Sequence, residues 1–343
     1  MTSITRRSLF AGMILTAASG AACTRPAEGR NTTEQGGSMG FTNPVVDSNV
    51  PDPMIMADDE GSWWAFATNG NGANVQTLRS TDLVSWEQAA DALPQLPSWT
   101  RTGSTWAPEV SRSDDGRWLL YHTTPAPRDR GKIQAIGVAV ADSPGGPYVD
   151  SSPEPLVCES DGGGSIDAHP FIASDGQRYL YWKNDGNRIG IDTWISVQRL
   201  DSSGTKLIGS PQRLIKQDQP WEGSLVEAPF VVEVDGTFWL FYSGNAFDSD
   251  AYAVGVAEAT SPTGPFTKVP DPVLVSNDVA AGPGHCAVVT VAGRRWMVYH
   301  AWAPDAIGAS IPGRTMWLSE VEITADAVRV TPPTDDYPDL PIT

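Results

Sequence analysis

Short alternating runs of apolar and aromatic residues recur along the chain, each opened by a turn glycine. They follow Gly61 (Trp63, Trp64, Phe66), Gly116 (Trp118, Tyr121), Gly176 (Tyr179, Tyr181), Gly236 (Phe238, Trp239, Phe241) and Gly293 (Trp296, Tyr299), at intervals of 55 to 60 residues. In Asp115-Gly116, Asp175-Gly176 and Asp235-Gly236 the glycine follows an aspartate, a pair suited to hairpin turns that need positive φ. Each unit therefore reads as strand, turn, strand. A further short strand and turn come downstream, as in Ala139 to Tyr148 and Ala257 to Phe266, which lie two periods apart. No stretch of useful length carries helical periodicity. Units of four short strands repeated five times predict an all-β chain folded as a five-bladed β-propeller. Blade 5 must draw its outer strands from the segment Arg314 to Val330. A β-sandwich with accidental internal similarity is the competing architecture. Residues 41–343 are expected to form one domain, because a blade buries its faces only against its neighbours.

Composition narrows the function. Hydrophobic residues make up 40% of the 343 and charged residues 19%, which excludes a disordered or collagen-like chain. With 41 acidic against 23 basic residues the net charge is −18, so neither nucleic acid nor an anionic membrane surface is an expected partner. The 33 Gly, 28 Pro and 13 Trp suit a turn-rich β protein with aromatic surfaces.

The first residues read as an address. Thr5-Arg6-Arg7-Ser8-Leu9-Phe10 is a twin-arginine pattern, followed by an apolar run from Ala11 to Ala18 and small residues up to Ala22. Residues 1–22 are thus expected to be an export signal, too short to span a bilayer as a permanent anchor. Cys23 stands where a bacterial lipoprotein carries its lipid, the one expected route to membrane attachment; plain secretion after cleavage near Ala22 is the alternative. Residues 23–40 are polar, Gly-rich and without periodicity, as in a flexible tether. Export implies an oxidising compartment, which makes Cys158 and Cys286 a candidate disulfide pair.

The repeat also predicts a site. In a propeller the innermost strand of every blade lines the central channel, and Asp52, Asp167 and Glu227 each stand nine residues before their turn glycine. Trp106 stands ten before Gly116, with Trp106-Ala107-Pro108 superposing on Glu227-Ala228-Pro229, and His285 stands eight before Gly293. Carboxylates brought together repel, so one has its pKa raised while another stays ionised, which is what an acid and base pair for glycosidic cleavage requires. Asp52 alone would read as a turn cap. Glu109, deeper along its strand, reads as structural. His169 shares a strand face with Asp167, so it reads equally as a ligand contact or a hydrogen-bonded core residue. Trp118, Trp239 and Trp296 read as blade packing, while Trp302, Trp221 and Trp64 are divided between core and mouth.

Val50-Pro51-Asp52-Pro53, Trp106-Ala107-Pro108-Glu109, Ile166-Asp167-Ala168-His169-Pro170-Phe171, Val226-Glu227-Ala228-Pro229-Phe230 and Gly282-Pro283-Gly284-His285 resemble the blade motifs of glycoside hydrolase family 43. The resemblance runs from about Asn43 to the Arg314 region. It implies a five-bladed propeller that hydrolyses arabinofuranosides or xylosides with inversion. It further implies Asp52 as general base, Glu227 as general acid and Asp167 as the carboxylate that tunes Glu227 and orients the sugar. Base and acid are then expected roughly 6.5–9.5 Å apart, leaving room for water. Trp106 resembles the platform under the terminal sugar, Arg314 a basic residue beside the same pocket, and His169 is a further substrate-binding candidate. His285 resembles a histidine that holds a hydrated calcium or similar ion in the channel, structural or electrostatic in role; the chemistry itself needs no cofactor. The chain ends near the close of blade 5, without the C-terminal β-sandwich of many xylosidase-type members. The expectation is therefore an exported, exo-acting α-L-arabinofuranosidase on arabinan or arabinoxylan. A β-xylosidase, an endo-arabinanase and a non-catalytic sugar-binding propeller are the alternatives, with loops such as Asn245 to Tyr252 deciding between pocket and cleft.

Overall fold

Five antiparallel sheets, each a meander of consecutive strands, are arranged as the blades of a propeller in the computed structural model, which describes residues 40–127 and 132–339. The expected export signal, Cys23 and nearly all of the expected tether lie outside the described residues. Strand β1 (Phe41–Thr42) leads in, and blade 1 follows as β2 (Met54–Ala57), β3 (Trp63–Ala67), β4 (Gln76–Ser80) and β5 (Trp86–Gln88). Blade 2 is β6 (Trp106–Arg112), β7 (Trp118–Pro125) and β8 (Gln134–Ala141). Blade 3 is β9 (Ser165–Ile172), β10 (Arg178–Asn184), β11 (Trp194–Leu200) and β12 (Leu207–Lys216). Blade 4 is β13 (Val226–Val234), β14 (Thr237–Gly244), β15 (Ala253–Ala259) and β16 (Thr267–Lys268). Blade 5 is β17 (Ala281–Val291), β18 (Arg294–Trp302), β19 (Thr315–Ile323) and β20 (Val328–Val330), and β21 (Asp336–Tyr337) pairs back on β1. The five-bladed all-β expectation is met, with blade 5 completed by the C-terminal segment.

Blade 2 departs from four strands. Its outer position is reduced to single bridges, Ile136 to Val157 and Val140 to Val149. The segment that would form the missing strand carries Pro144, Pro147, Pro153 and Pro155, none of which can donate to a ladder.

The second strand of each blade is buried on both faces because alternate side chains serve the two neighbouring interfaces. In β14, Trp239 and Phe241 pack toward Met297 and Tyr299 of blade 5, whereas Phe238, Leu240 and Tyr242 pack toward Tyr179 and Tyr181 of blade 3. In blade 2, Leu119 and Tyr121 meet Leu180 and Trp182 of blade 3, while Leu120 meets Phe66 of blade 1. Trp118, Trp239 and Trp296 are accordingly core residues. Burial of each such side chain stabilises by about 1.5–3 kcal/mol, so a blade without neighbours would lose most of its core. Cys286 belongs to the core between blades 4 and 5, whereas Cys158 packs beside Trp99 and Ala126. The expected disulfide is therefore not formed, and both cysteines are free.

The ring closes without sharing strands. Asn43, buried ahead of blade 1, donates to the Leu318 carbonyl at 2.9 Å and accepts from the Leu318 N–H at 3.0 Å, acting as a ladder rung against β19. Phe41 stacks on Tyr337 at 4.9 Å, and Val46 bridges Met316. An Asn43→Ala variant leaves both Leu318 groups unpaired inside the protein. It is expected to lower unfolding free energy by about 2 kcal/mol, read from the shift in the urea midpoint.

Candidate active site

Just after the start of each channel-lining segment, one residue that is not glycine takes a left-handed conformation. These are Asp52 (φ 56°), Ala107 (φ 41°), Asp167 (φ 56°), Ala228 (φ 54°) and His285 (φ 50°), one per blade. Such a conformation costs about 1–2 kcal/mol per residue and persists where neighbours over-determine it. Here the neighbour is the adjacent blade. The Ala107 N–H donates to Thr68 Oγ1 at 2.9 Å, Asp167 to Thr123 Oγ1 at 3.3 Å, His285 to Ser243 Oγ at 2.9 Å, and Asp52 to His300 Nδ1 at 3.1 Å. Thr68, Thr123, Lys183, Ser243 and His300 each stand seven residues after their turn glycine. Lys183 has no acceptor to offer, and the Ala228 N–H instead donates to the Asp167 carboxylate at 3.0 Å.

The equal spacing of the three acids hides a difference of rung. The residue paired with the position seven after the glycine is Trp106, Ile166, Glu227 or Gly284 in blades 2 to 5, so Glu227 is the counterpart of Trp106 and not of Asp167. Blades 1 to 3 turn through longer hairpin loops, while blade 4 turns tightly through Asp235-Gly236, and this places a different rung nine residues before Gly236. Asp167 and His285 therefore sit on the bulge itself, with Trp106 and Glu227 one residue earlier in their blades, and Asp52 holds the like place just after Pro51, whose carbonyl accepts from the Thr68 N–H at 3.0 Å. The two rungs nonetheless open onto the same space. A cavity of about 570 Å³ is lined by Asp52, Trp106, Asp167, Glu227, His285 and Arg314, six of the seven expected residues.

His169 is the exception. It does not line this cavity; its Nε2 accepts the Val231 N–H at 3.0 Å, and its ring packs on Phe230 with centroids 4.3 Å apart. The strand runs inward from the mouth, so two residues beyond Asp167 lies one rung deeper, beside the buried Glu109. The expected substrate contact is replaced by a core histidine joining blades 3 and 4.

The three acids lie in unlike surroundings. Burial by itself would raise the Asp52 pKa, but the Arg314 guanidinium, 2.8 Å from Oδ1, outweighs it with help from His285 and the Thr68 hydroxyl, holding the carboxyl well below the usual range. Asp167 is pushed up to about 6, chiefly by burial and further by the charges of Glu227 and Asp52, against the pull of His285 and Lys183. Glu227 accepts from Lys183 Nζ at 2.9 Å on one oxygen and from the Tyr252 hydroxyl at 2.8 Å on the other. Burial works against the Lys183 charge, yet Glu227, Asp167 and Asp185 more than compensate and its pKa lies above the ordinary value. Burial drives the His300 pKa well down, with Arg314 adding to the effect, so its ring is neutral and its Nδ1 is free to accept from Asp52. Lys183, Tyr252 and His300 were missed by motif reading; the signal that finds two of them is the position seven after each turn glycine, where Lys183 and His300 replace a hydroxyl.

His285 Nδ1 lies 3.4 Å from Asp52 Oδ1, and among the described residues no group of three or more His, Cys, Asp or Glu side chains is arranged to hold a metal ion. The ligand shell of a directly bound ion is thus not formed around His285. Phe247, in the loop between β14 and β15, closes one side of the cavity with the Arg314 guanidinium 4.7 Å from its ring centroid.

Residues 41–328 match the model of the family described as Glycosyl hydrolases family 43. The Beta-D-galactofuranosidase xynD of Aspergillus niger is 27% identical over 277 residues, spanning 75% of this chain and 75% of that protein. The Beta-xylosidase of Bacillus subtilis is 27% identical over 274 residues, spanning 76% of this chain and 49% of that protein. A solved structure described as a thermostable family-43 glycoside hydrolase superposes with a TM-score of 0.78 at 28% identity, covering 86% of this chain and 97% of that one.

The raised Asp167 pKa has a stability consequence whose sign is fixed. Between the ordinary value of 3.8 and about 6 the folded state binds the proton that the unfolded state has released, so stability falls as pH rises through that window. Asp167→Asn, which keeps an oxygen for the Ala228 N–H, is expected to melt higher than the parent at pH 7. The difference should shrink as the pH falls below about 6, as thermal melts at several pH values would show.

Proposed function

The chain belongs to the glycosyl hydrolases of family 43, glycosidases with an inverting mechanism, and on that premise we propose that it is an exo-acting α-L-arabinofuranosidase releasing arabinose from arabinan or arabinoxylan-type polysaccharide. The observation that carries this reading is the single cavity in which Asp52, Asp167 and Glu227 meet, walled by Trp106 on one blade and by the Phe247 loop on another. A walled pocket admits a chain end more readily than a chain interior. The likeness to a protein named a galactofuranosidase favours a five-membered sugar ring. A β-xylosidase is the second reading, favoured by the likeness to the Bacillus subtilis Beta-xylosidase.

In the proposed reaction Asp52, kept ionised by Arg314, takes a proton from water as the water oxygen bonds to the anomeric carbon. Glu227 gives a proton to the glycosidic oxygen as that bond breaks, which leaves Asp52 protonated and Glu227 ionised; Asp52 then loses its proton to solvent and Glu227 regains one, restoring the starting state. Tyr252 and Lys183 hold the two Glu227 oxygens in place, and each oxygen keeps a lone pair for the transferred proton. Asp167, beside Glu227, supplies a negative charge that varies around pH 6 and orients the sugar hydroxyls. Trp106 is the platform under the terminal sugar. Family members need no cofactor for this chemistry. The reading extends to an exported enzyme, secreted or held at the cell surface by a lipid on Cys23.

Protein from about residue 31 onward is tested against aryl α-L-arabinofuranoside, aryl β-D-xyloside and linear arabinan. The arabinofuranoside is expected to be cleaved, with the inverted β-anomer appearing first by proton NMR. Asp52→Asn and Glu227→Gln are each expected to cut kcat/KM by about 10²–10⁴. Preference for the xyloside, or shortening of arabinan without aryl release, would replace this reading by the xylosidase or endo-arabinanase one; turnover of nothing, with sugar still bound, would make the propeller a binding module.

A further inference from the structure

Beside the catalytic cavity, across Trp106, lies a second one of about 270 Å³ whose walls include Arg101, Lys132, Arg188, Gln134 and Asp185. Among the described residues three cations thus face one carboxylate, and that carboxylate leans toward Lys183 of the inner cavity at 3.8 Å. The chain as a whole runs the other way, with 41 acidic residues against 23 basic. Arg101 uses one nitrogen on the Ala126 carbonyl at 3.0 Å, which fixes the guanidinium at the pocket wall. Among the described residues neither Arg188 nor Lys132 comes within 4 Å of a carboxylate, although the Arg188 charge acts on Asp185.

A charge cluster of this kind, in a protein of net charge −18, offers an anionic group a local site of attraction. Trp106, Asp185 and Arg188 line both cavities, so the two are neighbours and the outer one lies within reach of the next unit of a chain whose end sits in the inner one. We propose that the outer cavity is a subsite for a carboxylate-bearing sugar, a uronic acid unit on the leaving-group side of the polysaccharide. The inference rests on the glycosidase reading of the inner cavity for what arrives there, and adds the class of the substrate's neighbouring unit. Two guanidinium groups favour a carboxylate, because their planar N–H pairs match its two oxygens. Gln134 uses its amide nitrogen on the Ser104 carbonyl at 3.0 Å, which leaves its oxygen to accept from a sugar hydroxyl.

The test is binding rather than turnover. The full chain is titrated by calorimetry with methyl β-D-glucuronide, methyl β-D-glucoside and methyl β-D-glucoside 6-sulfate, at about 0.05 M and about 1 M salt, where the screening length falls to about 3 Å. The glucuronide is expected to bind at least tenfold tighter than the neutral glucoside, with the advantage largely lost at high salt. Lys132→Gln, at an exposed position that does not bear on folding, and Arg188→Gln are each expected to reduce that advantage several-fold, and the double variant to abolish it. Equal affinity for glucuronide and glucoside, or an advantage that both variants retain, would overturn the proposal. Tighter binding of the sulfate ester than of the glucuronide would overturn the carboxylate assignment. Because no hydrolysis is read, failure of the arabinofuranosidase reading would show separately, as absence of arabinose release from the neutral substrates.

Discussion

A ring of hydrogen bonds from one blade to the next organises the mouth of this propeller. Each channel-lining segment carries a residue in a conformation that an L-residue adopts at a cost; in four blades a side chain seven residues after the preceding blade's turn glycine holds it there, and in blade 4 the Asp167 carboxylate does so instead. The bonds also close the circle, since His300 of blade 5 holds the N–H of Asp52 in blade 1. A left-handed residue followed by a bulge turns its side chain across the channel mouth instead of along the strand. The same strained position that breaks the ladder therefore aims Asp52, Asp167 and His285 at one cavity. The residue immediately before it aims Trp106 and Glu227 into that cavity from a second rung.

Blade 3 is where this ring yields to chemistry. At the position where other blades offer a hydroxyl or imidazole it has Lys183, a cation that cannot accept. The orphaned Ala228 N–H is taken up by Asp167, and the ammonium is released to pair with Glu227. One substitution in the repeat thus couples two of the three acids, through the backbone on one side and through charge on the other. Arg314 plays the matching part for Asp52 on the far side of the mouth. Buried Lys183 and partly buried Arg314 serve different carboxylates, and between them they let three acids share one small volume.

Packing behind the mouth makes these distances reproducible. Second strands such as β14 spend alternate side chains on two different neighbours, so no blade can shift without disturbing two cores. The parts free to differ are the loops at the rim, and there lie Phe247, Arg188 and Lys132, the residues closest to whatever the substrate carries beyond its terminal sugar.

Much of this was legible in the chain itself, because a repeat is a statement about geometry. Five turn glycines followed by alternating aromatics imply five like sheets, and like sheets around an axis bring like positions together, so Asp52, Asp167, Glu227, Trp106 and His285 could be named in advance, while Arg314 came only from the family resemblance. The same logic misjudged His169, since spacing along a strand says which face a residue shares but not how deep that face has run into the core. It also treated Glu227 as the equivalent of Asp167, because counting back from a glycine cannot see that one hairpin is shorter than another. Lys183 shares the spacing of its counterparts but not their chemistry, and Tyr252 and the two sides of the outer cavity come from separate blades and loops with no common spacing. Their meeting depends on the closing of the ring, a long-range event that no local pattern encodes, and so the electrostatics of the site were decided by the tertiary structure alone.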